Sequence, residues 1–201
     1  MNRLSRPLAA SAAILAISLL ASGCSSGSGS GSTSSARKSA SASFSLNTPV
    51  TDSVGQFSVD MPQTPKKTST PRTQSGTTVT EVNYTAASTD SNQNYFFEIS
   101  YMVLPGSIQQ AVSSDVSGML SQAITSFASS ISQGQATVTH ETSGTFQGSP
   151  SETAIIPGSA GAFKVASVYR NGILYLISAA NASGSADSAF NTFIATLKFA
   201  S

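Results

Sequence analysis

Two β-rich runs near the end of the chain are separated by Asn171-Gly172, and this pair constrains the fold more than any other feature. The runs are Phe163–Arg170 and Ile173–Ala180. Asn-Gly is the preferred pair for a two-residue type I′ turn, because both central residues need positive φ. The sequence therefore predicts a β-hairpin here and, with it, a largely antiparallel sheet.

Other segments have the pattern of strands. Gln56–Met61 alternates apolar and polar residues, and Thr77–Ala86 is rich in β-branched residues. Asn94–Leu104 is apolar on both faces, which indicates a central strand covered on each side. Two more strands are predicted at Ala136–Phe146 and Glu152–Ile156, joined around Gln147-Gly148-Ser149-Pro150. The polar stretch that contains Pro62, Pro65 and Pro71 is predicted to be a loop.

Two helices are predicted between and after these strands. Apolar residues recur at three-to-four spacing from Ile108 to Ile131, which indicates one amphipathic helix of about six turns that ends near Gly134. Ser107 is the expected N-cap of this helix. A C-terminal helix is predicted from Ala186, Phe190, Phe193, Ile194 and Leu197, with Ser185 as its cap and Lys198 near the negative end of its dipole. The fold class is therefore α+β.

The N-terminal residues 1–23 have the pattern of a cleavable signal peptide. Arg3 and Arg6 form a positively charged region, and the apolar run Leu8–Leu20 that follows has thirteen residues. A helix that spans a bilayer needs about 20 apolar residues, so this run is too short for a permanent membrane anchor.

Cys24 is the only cysteine in the chain, and it follows the small residues Ala21-Ser22-Gly23. This arrangement resembles the bacterial lipobox, although Ala21 stands where Leu is usual. The resemblance implies that the Cys24 sulfur carries acyl chains such as palmitate and that Cys24 becomes the new N-terminus. The alternative is an ordinary signal peptide followed by a free thiol. Two or more acyl chains hold a protein stably on a membrane.

The anchor predicts a lipid-attached protein on the extracytoplasmic side of the cell membrane. Ser25 lacks the Asp that usually retains Gram-negative lipoproteins at the inner membrane, so the outer membrane is an alternative in a Gram-negative host. Residues 24–43 are rich in Ser and Gly, and are expected to be a flexible tether with a root-mean-square reach of roughly 24 Å. Residues 44–201 form the predicted domain.

The charge of the mature chain excludes one class of partner. Without Arg3 and Arg6, the ten basic residues fall to eight, against nine acidic residues. Such a chain has no basic surface for nucleic acid. With no second cysteine, its stability must come from a hydrophobic core rather than from a disulfide.

Three segments resemble the PsbP-like fold, an antiparallel sheet sandwiched between helices, and in particular its small LpqN/LpqT-type lipoproteins. They are the opening Gly55–Pro62, the hairpin Tyr169–Tyr175 and the closing Ala189–Phe199. The resemblance covers most of residues 44–201. It implies a binding or accessory role, because the family is largely non-enzymatic, but it offers no catalytic motif to carry over.

A search for chemistry finds no convincing catalytic or metal site. His140, the only histidine, stands next to Glu141, but adjacent residues of a strand point to opposite faces. Ser35-Ala36-Arg37-Lys38 matches Ser-x-x-Lys, but it falls in the tether. Asp90–Asn94 begins like a calcium loop, yet Tyr95 and Tyr101 stand where Gly and Glu are required, and a hairpin turn explains the same residues.

Paired aromatic residues leave two readings open. They could line an apolar or carbohydrate-binding groove, or they could pack in the core and across strands. These residues are Tyr95, Phe96, Phe97, Tyr101, Tyr169 and Tyr175.

The sequence is compatible with three functions. The first is a tethered, non-catalytic module that binds an envelope protein or another envelope component, without cofactor or metal. The second is a carrier of a lipid or glycolipid, in which the helix Ile108–Ile131 forms one wall of an apolar cavity. An enzyme ranks third, because the nine acidic residues show no recognisable pairing in the sequence.

Overall fold

The computed structural model describes residues 44–74, 77–90, 93–131, 137–158, 161–181 and 186–200. In this part of the chain, ten strands and three helices are formed. The strands are β1 Thr48–Asp52, β2 Phe57–Met61, β3 Lys66–Gln74, β4 Thr77–Asp90, β5 Gln93–Val103, β6 Thr139–Phe146, β7 Ser149–Gly158, β8 Gly161–Arg170, β9 Ile173–Asn181 and β10 Lys198–Phe199. The helices are α1 Gly106–Val112, α2 Val116–Ile131 and α3 Asp187–Thr196.

The strands form two antiparallel sheets. The larger has seven strands in the order β3-β4-β5-β9-β8-β7-β6, and the smaller has three in the order β1-β2-β10. Every strand pair in the described part is antiparallel. The predicted α+β class is confirmed.

Helices and the small sheet cover the two faces of the seven-stranded sheet. Helix α2 packs on β7 and β8, while α3 packs on β9, β2 and β5. Each face has its own hydrophobic cluster: one includes Ile124 and Phe127 of α2, and the other includes Phe193 of α3. Strand β9 lies at the centre, so all nine of its residues are buried. The expectation that Asn94–Leu104 forms a central strand covered on both sides is confirmed by β5.

The hairpin at Asn171-Gly172 forms as predicted. Asn171 has φ of 51° and Gly172 has φ of 77°, the left-handed values that the turn requires. Strands β8 and β9 pair on either side of it, from Arg170–Ile173 to Ala162–Asn181. A second two-residue turn of the same kind joins β6 to β7, with φ of 49° at Gln147 and 77° at Gly148.

Gly172→Ala is expected to lower the free energy of unfolding by about 2 kcal/mol, against about 1 kcal/mol for the control Gly148→Ala. Both glycines have φ of +77°, so both variants carry the backbone penalty. A Cβ at position 148 meets nothing, whereas one at position 172 meets the amide of Gln109, which donates to the Leu104 carbonyl at 2.6 Å. Urea denaturation of both variants measures the difference, and equal losses would contradict this account.

The prediction of one helix from Ile108 to Ile131 is wrong, because the helix is broken. Residues 113–115 separate α1 from α2, since their side chains compete for backbone groups. Ser113 Oγ and Ser114 Oγ donate to carbonyls of α1, at 2.7 and 2.8 Å. Asp115 Oδ1 accepts from the Gly118 backbone at 2.8 Å and so caps α2.

The N-cap positions of α1 and α3 are held by Pro105 and Ala186. Ser107 lies inside α1, and Pro105 occupies its N-cap position, so that prediction is wrong. Ala186 holds the N-cap position of α3, while Ser185 is outside the described residues. The predicted end of the long helix near Gly134 also lies outside them.

The loop predicted around the three prolines is in part a strand. Pro62 and Pro65 precede β3, but Pro71 lies within it, opposite Thr80 of β4. Proline cannot donate a backbone hydrogen bond, and it is tolerated here because β3 is at the edge of its sheet.

Candidate functional site

Several residues singled out in the sequence cannot be placed in space. Cys24, Ser35 and Lys38 lie outside the described residues. His140 belongs to the backbone of β6, but its side chain is also outside them. Glu141 is exposed and accepts a hydrogen bond from Ser121 Oγ of α2 at 3.1 Å. The described contacts therefore do not join Glu141 to His140.

The prediction that the paired aromatic residues line a groove is wrong for most of them, because they lie in the core. Tyr95, Phe97, Tyr101 and Tyr175 are all buried in the cluster on the α3 face. Phe97 contacts Phe193 with ring centroids 5.2 Å apart, as neighbours within a packed core do. Phe96 and Tyr169 are partly buried. Core packing was the alternative left open by the sequence.

The calcium-loop resemblance is explained by a hairpin end. Asp90 and Gln93 are the last paired residues of β4 and β5, and residues 91–92 between them are outside the described part. Among the residues with a described position, no group of three or more His, Cys, Asp or Glu could hold a metal ion.

A cluster around Asp52 joins the two sheets. Asp52 ends β1 and is buried, and its carboxylate accepts five hydrogen bonds. The donors are the backbone amides of Val54 (2.9 Å) and Gly55 (2.8 Å), the hydroxyls of Tyr84 (2.5 Å) and Tyr101 (3.1 Å), and Lys67 Nζ (3.0 Å). Because Lys67, Tyr84 and Tyr101 belong to β3, β4 and β5, the Asp52 cluster ties the small sheet to the large one. Tyr175 of β9 adds a hydrogen bond from its hydroxyl to the Gly55 carbonyl at 2.7 Å.

The Asp52 carboxyl is held in its charged form. Burial by itself would raise its pKa, but the hydrogen bonds, led by that from the Gly55 backbone, outweigh burial and bring the pKa well below 3.8. A carboxylate with five donors has no lone pair left for a substrate or a metal ion. The geometry therefore indicates a structural role.

A second polar group, the acid pair Glu81 and Glu98, lies under the helices. Strand alternation puts both residues on the face of β4 and β5 that also carries Met102, which packs with α2. Glu81 and Glu98 are 0% and 2% exposed. Arg72 of β3 donates from Nε to Glu81 Oε2 at 2.9 Å.

Glu98 is expected to be neutral at pH 7. Burial, followed by the neighbouring charge of Glu81, raises the pKa of Glu98 to about 8. Glu152 of β7 also has a raised pKa, because of burial and then the charge of Glu141. Glu98 Oε1 and the hydroxyl of Ser178, directly opposite it on β9, are buried without a hydrogen-bond partner in the described part.

The cavities near these residues are small. One, of about 10 Å³, is lined by Glu81, Ser100 and Ala123 among others, and it is close to the volume that one water molecule needs. Another, of about 20 Å³, lies between β8 and the start of α3. Neither has room for an organic substrate.

Neither the Asp52 cluster nor the acid pair was predicted from the sequence, although the burial of Glu98 could have been. A strand with apolar residues on both faces has few exposed positions, so Glu98, between Phe97 and Ile99, had to be buried. Asp52 left no comparable signal, because its partners come from three distant strands.

Comparison with protein-family models, with curated proteins and with solved structures found no match to this chain. Within the described residues, no helix has the length and apolar character that crossing a membrane requires.

Proposed function

We propose that this chain is a lipoprotein anchored through Cys24, whose domain is a non-catalytic binding or accessory module of the cell envelope. The observation that carries the proposal is the position of the only cysteine. It ends an apolar run behind a positively charged start, follows three small residues and precedes a Ser/Gly tract. Acylation of Cys24 would hold the domain at the membrane, outside the cytoplasm.

The chemistry of the described domain supports a role without catalysis. The carboxylate of Asp52 accepts five hydrogen bonds and is saturated by contacts that join the two sheets. Glu98 is 2% exposed, and the 10 Å³ cavity beside its partner Glu81 has space for about one water molecule. A general acid or base needs to reach a bound substrate, and neither residue has room for one.

The same packing favours a binding module over a lipid carrier. A pocket for a drug-sized ligand has a volume of about 300–1,000 Å³, far more than the 10 and 20 Å³ cavities described here. Helix α2, the proposed cavity wall, instead buries Leu120, Ile124 and Phe127 against the sheet. The carrier remains the second candidate, and the experiment below separates it from the first.

Membership of the PsbP-like lipoproteins is part of this proposal. An antiparallel sheet with α1 and α2 on one face and α3 on the other agrees with the architecture that the resemblance implies. The three-stranded sheet that shares a layer with α3 was not expected from it.

Affinity capture from the envelope tests the proposed role. The full chain, tagged at its C-terminus and extracted in mild detergent, is expected to retain one envelope component in near-stoichiometric amount. Asp52→Ala, which destabilises the domain, is the control. Capture by the folded domain should weaken in this variant, whereas capture through residues 24–43 alone should not change. Organic extraction of the same sample followed by mass spectrometry should find no stoichiometric free lipid. A stoichiometric lipid, or repeated capture of nothing, would contradict the proposal.

A further inference from the structure

We propose that the acid pair Glu81 and Glu98 is a pH-sensitive switch, which keeps the helix layer of α1 and α2 closed while Glu98 carries a proton and opens that layer when the proton is lost. The proposal goes beyond the proposed function and does not depend on it. It starts from a feature that is unusual for a core: two carboxyl groups, both buried, on one face of adjacent strands.

The buried neighbours of Glu98 offer little to balance a negative charge. On its own sheet face, the neighbouring strands contribute Glu81 from β4, Ser178 from β9 and, further along the sheet, Glu152 from β7. Two cations of the described residues lie on this face, both on β3. Arg72 is engaged with Glu81 through its Nε, and Lys66 lies in the row of Glu98, two strands away, with an exposed side chain. The sequence from Gly106 to Gln135, which contains the helix layer, has Asp115 as its only charged residue.

The polar atoms in this region also lack partners that would satisfy them. Glu81 Oε1, Glu98 Oε1 and Ser178 Oγ are all buried without a hydrogen bond in the described part of the chain. Ala123 of α2 lines the 10 Å³ cavity together with Glu81 and Ser100, so α2 is part of the cover over Glu81, and Glu98 is the next residue after Ser100 on the same face of β5. Glu98 is only 2% exposed, so a carboxylate formed there could be hydrated only if its cover moved.

The direction of the pH effect follows from the raised pKa of Glu98. Its pKa is about 8 in the closed protein and close to 4.5 when the group is exposed to water. Protonation of Glu98 therefore stabilises the closed form fully below about pH 4.5, and this stabilisation is lost as the pH rises through 8. Near pH 6 Glu98 is neutral in the closed form, and at pH 9 it is mostly ionised.

Hydrogen exchange of α2 amides in the full-length chain, purified in detergent, tests the switch. After correction for the intrinsic exchange rate, protection is expected to fall roughly thirtyfold between pH 6.5 and pH 9 beyond any fall in Glu98→Gln, whose side chain does not titrate. Asp60→Asn, at an acidic residue of β2 on the other side of the large sheet, should behave as the wild type does. A Glu98→Gln variant with the wild-type pH dependence would overturn the proposal.

A second measurement remains decisive if Glu98→Gln does not fold. The chain has four glutamates, so carboxyl-¹³C labelling of Glu gives a spectrum in which each titration can be followed by NMR. One carboxyl, absent from the spectrum of a Glu98→Asp variant, is expected to titrate near pH 8. If all four titrate below pH 6, the switch does not exist.

Discussion

Asp52→Ala is expected to lower the free energy of unfolding by about 3–5 kcal/mol, because it leaves several buried groups without their charged acceptor. The hydroxyls of Tyr84 and Tyr101 lose their partner, and so do two backbone amides of the turn between β1 and β2. Lys67 is half-exposed and regains water, so it contributes least. Chemical denaturation followed by circular dichroism measures the loss.

The Asp52 carboxylate also makes the stability of the wild type depend on pH in the acidic range. Because the pKa of Asp52 is lower in the folded protein than in the unfolded chain, its contribution is complete above about pH 4 and is lost as the pH falls further. Asp52→Ala should therefore lose less stability between pH 5 and pH 2 than the wild type does. Asp60→Ala, at a half-buried aspartate of β2, is the control and should change stability by less than about 1 kcal/mol. Equal losses for Asp52 and Asp60 would contradict the structural role of the Asp52 cluster.

Phe193→Ala is expected to lower the free energy of unfolding by about 3–5 kcal/mol through the cavity it creates. Phe193 is fully buried where α3 meets the sheet, and its ring centroid lies 5.2 Å from that of Phe97. Helix α3 contacts β9, β2, β5 and β8, so a cavity at this position weakens the attachment of the whole helix. Urea denaturation with an unchanged slope would show that stability alone has been lost.

Val54→Ala is the matched control for this prediction. Val54 is 61% exposed, so truncation removes little buried surface and should change stability by less than about 0.5 kcal/mol. If Phe193→Ala were as mild as Val54→Ala, the interior between α3 and the sheet would have to be loosely packed. A loosely packed interior would also favour the second proposed function, that of a lipid carrier.

Local patterns were sufficient to predict most of the elements. The turn at Asn171-Gly172, the alternation of Phe57, Val59 and Met61, and the two-sided apolar pattern of β5 each depend on neighbours in sequence. The break between α1 and α2 was missed because apolar spacing continues across it, while Ser113, Ser114 and Asp115 redirect the backbone hydrogen bonds.

Features that depend on the assembly of distant segments could not be predicted from the sequence. Pro71 indicated a loop, and only the edge position of β3 makes it acceptable in a strand. The partners of Asp52 lie between 2 and 49 residues away along the chain. The acid pair is likewise created by the register of β4 and β5, which places Glu81 opposite Met102 and Glu98 opposite Thr85.

The way in which the two sheets are joined is relevant to the proposed role as an anchored module. The contacts of Asp52 hold the two sheets of the domain together, and the proposed anchor would keep the domain at the membrane. The proposed switch adds a pH-dependent opening on the face of the large sheet opposite α3.

The mass of the mature N-terminal peptide tests the central claim most directly. The full chain is expressed in a bacterial host, extracted in detergent and digested, and its N-terminal peptide is analysed by mass spectrometry. We expect it to begin at Cys24 and to carry the added mass of a diacylglyceryl group, while Cys24→Ser should yield no acylated peptide and no membrane-bound mature protein. A mature chain in which Cys24 has a free thiol, or which begins at another residue, would contradict the account.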